Sequence, residues 1–222
     1  MGREELRKRR RRRRVLQLYM KMACFFLIVI LAGILGMWIY QRGPWNDKYI
    51  ERTGKEIDEM RPEIQMELLT ENPYSRPGIA TERIRGIVVH YVANPGSTAM
   101  QNRNYFEGLK DSHLTEASSH FIVGLEGEIV QCVPTKEVAY ASNKRNKDTI
   151  SIETCHWTED GTYTEETYES LVDLTSWLCK KFDLTEKDII RHYDITGKIC
   201  PKYFVENEEA WKQFKEDVRE RL

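Results

Sequence analysis

The chain has 222 residues, 41% of them hydrophobic and 31% charged, with a formal net charge of −1. That is room for one catalytic domain plus accessories, with the apolar share of an ordinary globular protein. The near-zero charge hides an asymmetry. Residues 1–21 carry ten Lys/Arg against two Glu, a local balance of +8, so the remainder sums to −9. The five cysteines (Cys24, Cys132, Cys155, Cys179, Cys200) are odd in number and widely spaced. They lack the pattern of a disulfide framework, although a Cys132–Cys155 bridge stays open.

Residues 22–40, MACFFLIVILAGILGMWIY, are uncharged. As a helix they span roughly 28 Å, close to a bilayer's hydrocarbon core and longer than the apolar core of a signal peptide. No convincing cleavage site follows, so an uncleaved transmembrane helix is expected. The basic run Arg7–Arg14 before it holds residues 1–21 in the cytoplasm by the positive-inside rule. Beside such a helix the run reads as a topology and lipid-contact device, and no nucleic-acid partner is expected. Trp38, Tyr40 and Trp45 suit the far interface. Residues 41–77, with four prolines and little periodicity outside 57–69, read as a stalk containing at most one short helix.

From residue 78 the pattern becomes that of a folded domain. IRGIVVHY (84–91) is a buried-strand signal, and Asn94-Pro95-Gly96 is a turn. Ser97 or Thr98 caps a helix over 99–110. Residues 120–123 and 128–133 form a hairpin around Glu126-Gly127. TISIETC (149–155) is a further strand, with Ile150 and Ile152 on one face and Ser151 and Glu153 on the other. A long amphipathic helix ends at Phe182, capped by Thr162 in a capping box or by Thr164. Residues 188–192 are a last strand, and Asn207 caps a C-terminal helix over 208–222. The interleaving predicts an α/β domain over 78–222, a mixed central sheet flanked by helices.

Three strands end on residues able to bind metal or move protons: His90, Glu153, and His192 with Lys198 and Cys200 beyond it. These segments, with NPGSTA, SSHFIVGLEGEIVQ, DTISIE and RHYDITGKICPKYF in order, resemble the type 2 N-acetylmuramoyl-L-alanine amidases. Those are zinc enzymes similar to T7 lysozyme and the peptidoglycan recognition proteins, and the likeness is closest to a membrane-anchored Gram-positive branch. The resemblance covers about residues 79–222. It implies Zn2+ held by His90, His192 and Cys200, with Glu153 as general base and Lys198 at the scissile carbonyl. It also implies a substrate-contact loop at Tyr140, Ser142 and Asn143. Ser119 stands where the phage-type enzymes carry a tyrosine, which leaves the chemistry to Glu153 and Lys198. His120 reads as a core histidine. His113 and His156 read as surface residues, or His156 as lining the cleft.

The expected function is hydrolysis of the amide between N-acetylmuramic acid and L-alanine in peptidoglycan, on the outer side of the membrane. The alternative is a non-catalytic peptidoglycan-binding module of the same fold. Expected partners are muramyl peptide and, through the N-terminal helix, a lipid bilayer.

Overall fold

A computed structural model describes residues 3–42 and 48–222; Pro44 and Trp45 lie outside the described residues. The chain divides into two units, Met1–Asp47 and Lys48–Leu222. In the first, α1 (Arg3–Arg42) is one continuous helix that carries both the basic run and the apolar segment. Its stretch Tyr19–Tyr40 is long and apolar enough to cross a membrane, and every side chain in that stretch is exposed.

In the second unit α2 (Lys55–Glu59) and β1 (Gln65–Met66) precede β2 (Gly86–Tyr91), α3 (Ala99–Ser112), β3 (Phe121–Val123) and β4 (Ile129–Gln131). Then follow β5 (Thr149–Thr154), α4 (Glu165–Phe182), β6 (Ile189–Arg191), α5 (His192–Thr196), α6 (Lys202–Glu206) and α7 (Glu208–Glu220). The six strands form one sheet in the order β1-β4-β3-β5-β2-β6. Only the β3–β4 hairpin is antiparallel. Both faces are covered, as a largely parallel sheet requires. Ile87, Val89, Ile150 and Ile152 pack with α4 and α7 on one face. Ile122 and Val130 pack with Ala99, Phe106 and Leu109 of α3 on the other.

The alternation of side chains along β2 and β5 positions the site. With Ile87, Val89, Ile150 and Ile152 facing α4, the register pair His90 and Glu153 faces the α3 side. Both residues sit at the C-terminal ends of adjacent parallel strands, where open α/β sheets bind ligands.

Four local readings sharpen or change. Thr98 caps α3 in a complete capping box with Gln101. Thr164, not Thr162, caps α4, its hydroxyl accepting from the Thr167 N–H at 3.0 Å. Asn207 precedes α7, but its amide turns back to donate to the Tyr203 carbonyl, so its side chain caps nothing. The last strand stops at Arg191: the Asp194 carboxylate accepts from the Arg191 N–H at 2.8 Å and turns the chain into helix at His192.

The stalk expected over 41–77 is largely part of the domain. Ile57 and Leu69 are buried in its two cores. Leu69 N–H donates to the Cys132 carbonyl at 2.9 Å and Glu67 N–H to that of Gln131 at 3.1 Å, extending the sheet edge at β1. Arg76 grips Glu137 through two hydrogen bonds of 2.7 and 3.0 Å. Too few apolar residues lie in this segment to betray strand or core by periodicity, because it contributes single anchors.

Candidate active site

Three chain segments converge at the C-terminal end of β2. His90 pairs with Glu153 of β5, and the residue before it, Val89, pairs with Arg191 of β6. His192 opens α5 immediately after β6. Gly197, left-handed at φ 77°, ends α5 and lets the chain return so that Tyr193 N–H donates to the Cys200 carbonyl at 2.9 Å. Ligand atoms of His90, His192 and Cys200 all lie within 4.8 Å of one another. His90 Nδ1 is 3.8 Å from Cys200 Sγ. A tetrahedral ion with ordinary Zn–S and Zn–N bonds separates its ligand atoms by roughly 3.6 Å, so this donor set fits zinc.

The loop after Tyr140 orients the two imidazoles. Ser142 Oγ is 3.2 Å from His90 Nε2, and Asn143 Oδ1 is 3.0 Å from His192 Nε2. Such partners fix ring orientation and tautomer at metal-binding histidines. The substrate-contact reading therefore changes for Ser142, which is buried at 1% exposure against His90. Asn143 is exposed and holds His192. Tyr140 is half-buried, and its backbone pairs with Ser118.

Burial, with the neighbouring His192 and Lys198 charges, pushes His90 well below the usual imidazole range. Burial and Lys198 lower His192 as well. Both rings are thus neutral and able to ligate at neutral pH. Burial pushes the free Cys200 thiol up to about 12. A cation must offset that cost to hold the thiolate.

Glu153 Oε2 is shielded from solvent and has no hydrogen-bond partner among the described residues. Burial raises this carboxyl to about 7, against the opposing pull of Lys198. Lys198 itself is exposed on the turn before Cys200, and its charge acts on His90, His192 and Glu153 alike. A desolvated carboxyl near neutrality, a cation beside it and three metal-capable ligands are what metal-assisted hydrolysis needs.

The remaining residues sort clearly. Ser119 is fully buried, its hydroxyl donating to the carbonyls of Phe121 and Ser151. His120 is also buried: Ser151 N–H donates to its Nδ1 at 3.0 Å, and Nε2 meets the Glu137 carbonyl at 2.9 Å. His113 is exposed and stacks on Tyr74. His156 is buried rather than on the surface; its ring stacks on Tyr91 at 5.2 Å and its Nδ1 meets the Thr158 carbonyl. All five cysteines are free thiols, Cys132 and Cys155 included. Two supporting residues carried no sequence signal. Tyr163 brings a shielded hydroxyl toward Thr154. Arg191 ties β6 to Asp194, Glu208 and the Phe204 carbonyl.

The fold and this cluster define a mixed α/β domain with three metal-capable side chains gathered at the C-terminal ends of its central parallel strands. Residues 80–203 match the N-acetylmuramoyl-L-alanine amidase family, and the chain belongs to it. It is 35% identical over 160 residues to N-acetylmuramoyl-L-alanine amidase CwlL of Bacillus licheniformis, covering 66% of this chain and 44% of that protein. It is 34% identical over 172 residues to N-acetylmuramoyl-L-alanine amidase BlyA of Bacillus subtilis (strain 168), covering 68% and 45%. The match thus spans less than half the length of those relatives. Among solved structures, PlyL superposes with a TM-score of 0.61 at 23% identity over 71% of this chain and 98% of that one. The catalytic domain of XlyA superposes at 0.60 and 24%, over 71% and 99%. These two likenesses establish the fold.

Proposed function

We propose that this chain is a membrane-anchored, zinc-dependent amidase that hydrolyses the bond between N-acetylmuramic acid and L-alanine in peptidoglycan. The observation that carries the reading is the His90–His192–Cys200 cluster beside a shielded, unpartnered Glu153 oxygen, in a chain of this family. A bare binding module of the same fold needs neither a complete ligand set nor a desolvated carboxyl. The span Tyr19–Tyr40 and the basic run before it support a single-pass anchor with a cytoplasmic N-terminus and an extracytoplasmic catalytic unit.

His90, His192 and Cys200 would hold the zinc, leaving one position open as catalytic sites do. When bound, the ion supplies Lewis acidity at the scissile carbonyl and makes water a nucleophile at neutral pH. Glu153 takes the proton of the attacking water on its carboxylate and later delivers it to the departing L-alanine nitrogen. With that delivery the C–N bond breaks, and a muramyl carboxylate and a free amine result. The Lys198 ammonium stabilises the negative charge that develops on the carbonyl oxygen. Ser142 and Asn143 keep the two imidazoles aimed.

The test uses the unit 48–222. It should hold about one zinc, as a three-ligand catalytic site does, and release the stem peptide from a muramyl peptide with a new L-alanine amino terminus. Cys200→Ala and His192→Ala should lose metal and turnover together, while His113→Ala keeps both. Stoichiometric zinc with full turnover in Cys200→Ala would reject the ligand set. Tight binding of uncleaved muramyl peptide by the zinc-loaded protein would favour the binding module.

A further inference from the structure

On the α4 and α7 side of the sheet, opposite the side that His90 and Glu153 face, lies a cleft of about 380 Å³. Tyr163 just before α4, Tyr168 within it, Tyr203 of α6 and Ala210 of α7 supply its apolar walls. The Tyr163 and Tyr203 rings meet edge to face, 5.7 Å apart and 76° to one another, so two walls stand nearly at right angles. Tyr163 is inverted for a half-buried tyrosine: its hydroxyl is shielded and directed toward Thr154, which leaves the ring at the cleft. The charged side chains of the lining are Glu165 and Asp217, both acidic. Asp217 takes hydrogen bonds from two neutral donors, the Tyr168 hydroxyl and Gln213 Nε2. No ion pair reaches it among the described residues, unlike Glu137, Asp148 and Asp194, which each face an arginine. The basic side chains of α7 are engaged elsewhere: Lys212 on Glu209, Lys215 over the Trp211 ring and Arg219 on Glu216. Glu165, in the first turn of α4, offsets the positive end of that helix.

We propose that this cleft is a second binding site, for an alkylammonium group: the side-chain amine of a wall peptide other than the one being cleaved. The inference rests on the amidase reading for its source of amines, since wall peptides carry a diamino acid. The choice of a cation stands on the lining alone. Aromatic walls set at an angle attract a cation through their ring quadrupoles, and a carboxylate without a counter-ion adds charge complementarity. An anion meets two carboxylates here, and a neutral apolar group leaves the charge of Asp217 unanswered. The cleft and Glu153 lie on opposite faces of the sheet, so a group held here belongs to a neighbouring strand of the polymer. Holding it raises the local concentration of cleavable bonds without touching the reacting one.

The test uses the full chain in a maltoside detergent, which carries no ammonium. By ligand-observed NMR, Nα-acetyl-lysine methylamide, whose one charge is an alkylammonium, should bind saturably. Its uncharged counterpart, Nα-acetyl-norleucine methylamide, should bind about tenfold more weakly. Asp217→Asn should weaken the lysine probe about tenfold. So should Gln213→Lys, which sets a tethered ammonium one turn before Asp217 at an exposed position. Turnover is then compared on insoluble walls with free and with acetylated amines. The wild type should clear free-amine walls several-fold faster, and Asp217→Asn should show no preference. Both should cleave a soluble, amine-acetylated muramyl peptide at the same rate. The proposal falls if the norleucine probe binds as well as the lysine probe, or if Asp217→Asn keeps both the binding and the preference. If phosphatidylethanolamine vesicles displace the lysine probe and acetylating the walls changes nothing, the occupant is a lipid headgroup and the wall-peptide assignment falls. If no substrate is cleaved yet probe binding depends on Asp217, the amidase reading fails and the ammonium site stands.

Discussion

In the proposed mechanism, Glu153 is separable by substitution from the residues that would hold zinc. Glu153→Gln keeps the shape but cannot accept a proton, so the variant should fold, hold zinc and bind muramyl peptide. Its kcat should fall roughly 10²–10⁴-fold, or about 3–5 kcal/mol of barrier, with KM nearly constant. Wild-type turnover would reject it as the base. His120 predicts an acid-sensitive fold. Burial lowers this imidazole to about 4, below the ordinary 6.5, so the folded state favours the neutral ring. Its contribution is complete above pH 6.5 and is lost as the pH falls from there toward 4; for a shift of this size it amounts to roughly 3 kcal/mol. His90 and His192 are lowered too, so the comparison must be against His120→Asn. The stability gap between wild type and variant in urea should narrow from pH 7.5 to 4.5; a constant gap would mean that His120 does not titrate in this range. At this scale the sequence exposed the residues whose chemistry is unusual at strand ends. It hid those defined only by contact: Ser142 and Asn143 look like loop polars until they are seen against the two histidines, and nothing local marks Tyr163 or Arg191.

Among the elements, β2, α3, β5, α4 and α7 were legible because each carries a dense pattern: a β-branched run, a capping box, or an amphipathic repeat. Segment 48–77 was illegible for the opposite reason. Its strand is two residues long, and its buried anchors, Ile57 and Leu69, stand far apart in charged sequence. The structure therefore separates two fragments. A chain beginning at residue 78 lacks those anchors, the Arg76–Glu137 pair and the partner of β4 at the sheet edge. At about 1.5–3 kcal/mol for each buried aliphatic, the two anchors alone contribute roughly 3–6 kcal/mol, a large share of a typical domain's 5–15 kcal/mol. Fragment 48–222 should melt roughly 10–20 °C above fragment 78–222. Equal melting temperatures would mean that the segment is a passive tether.

For the whole molecule, the division between a basic, apolar N-terminal helix and an acidic folded unit was readable from charge and hydropathy alone, since neither depends on long-range contacts. It leads to a topology experiment. Ten basic residues lie within residues 1–21, and only four fall within residues 41–60, so protease added to wall-stripped cells should remove the unit Lys48–Leu222. Full protection of that unit would reverse the orientation. The sheet order has a consequence for how the site opens and closes. His90 lies on an interior strand bonded to neighbours on both sides, so its backbone can be released only by opening the sheet itself, an event close to global unfolding. His192 and Cys200 lie on the short excursion from α5 through Gly197 to Pro201, most of it exposed. The cluster is thus anchored unequally: one histidine is built into the sheet ladder, whereas the other two donors are held by helix and loop contacts outside it. Loosening that excursion costs fewer backbone bonds than opening the sheet, so the cluster comes apart first on its α5 side.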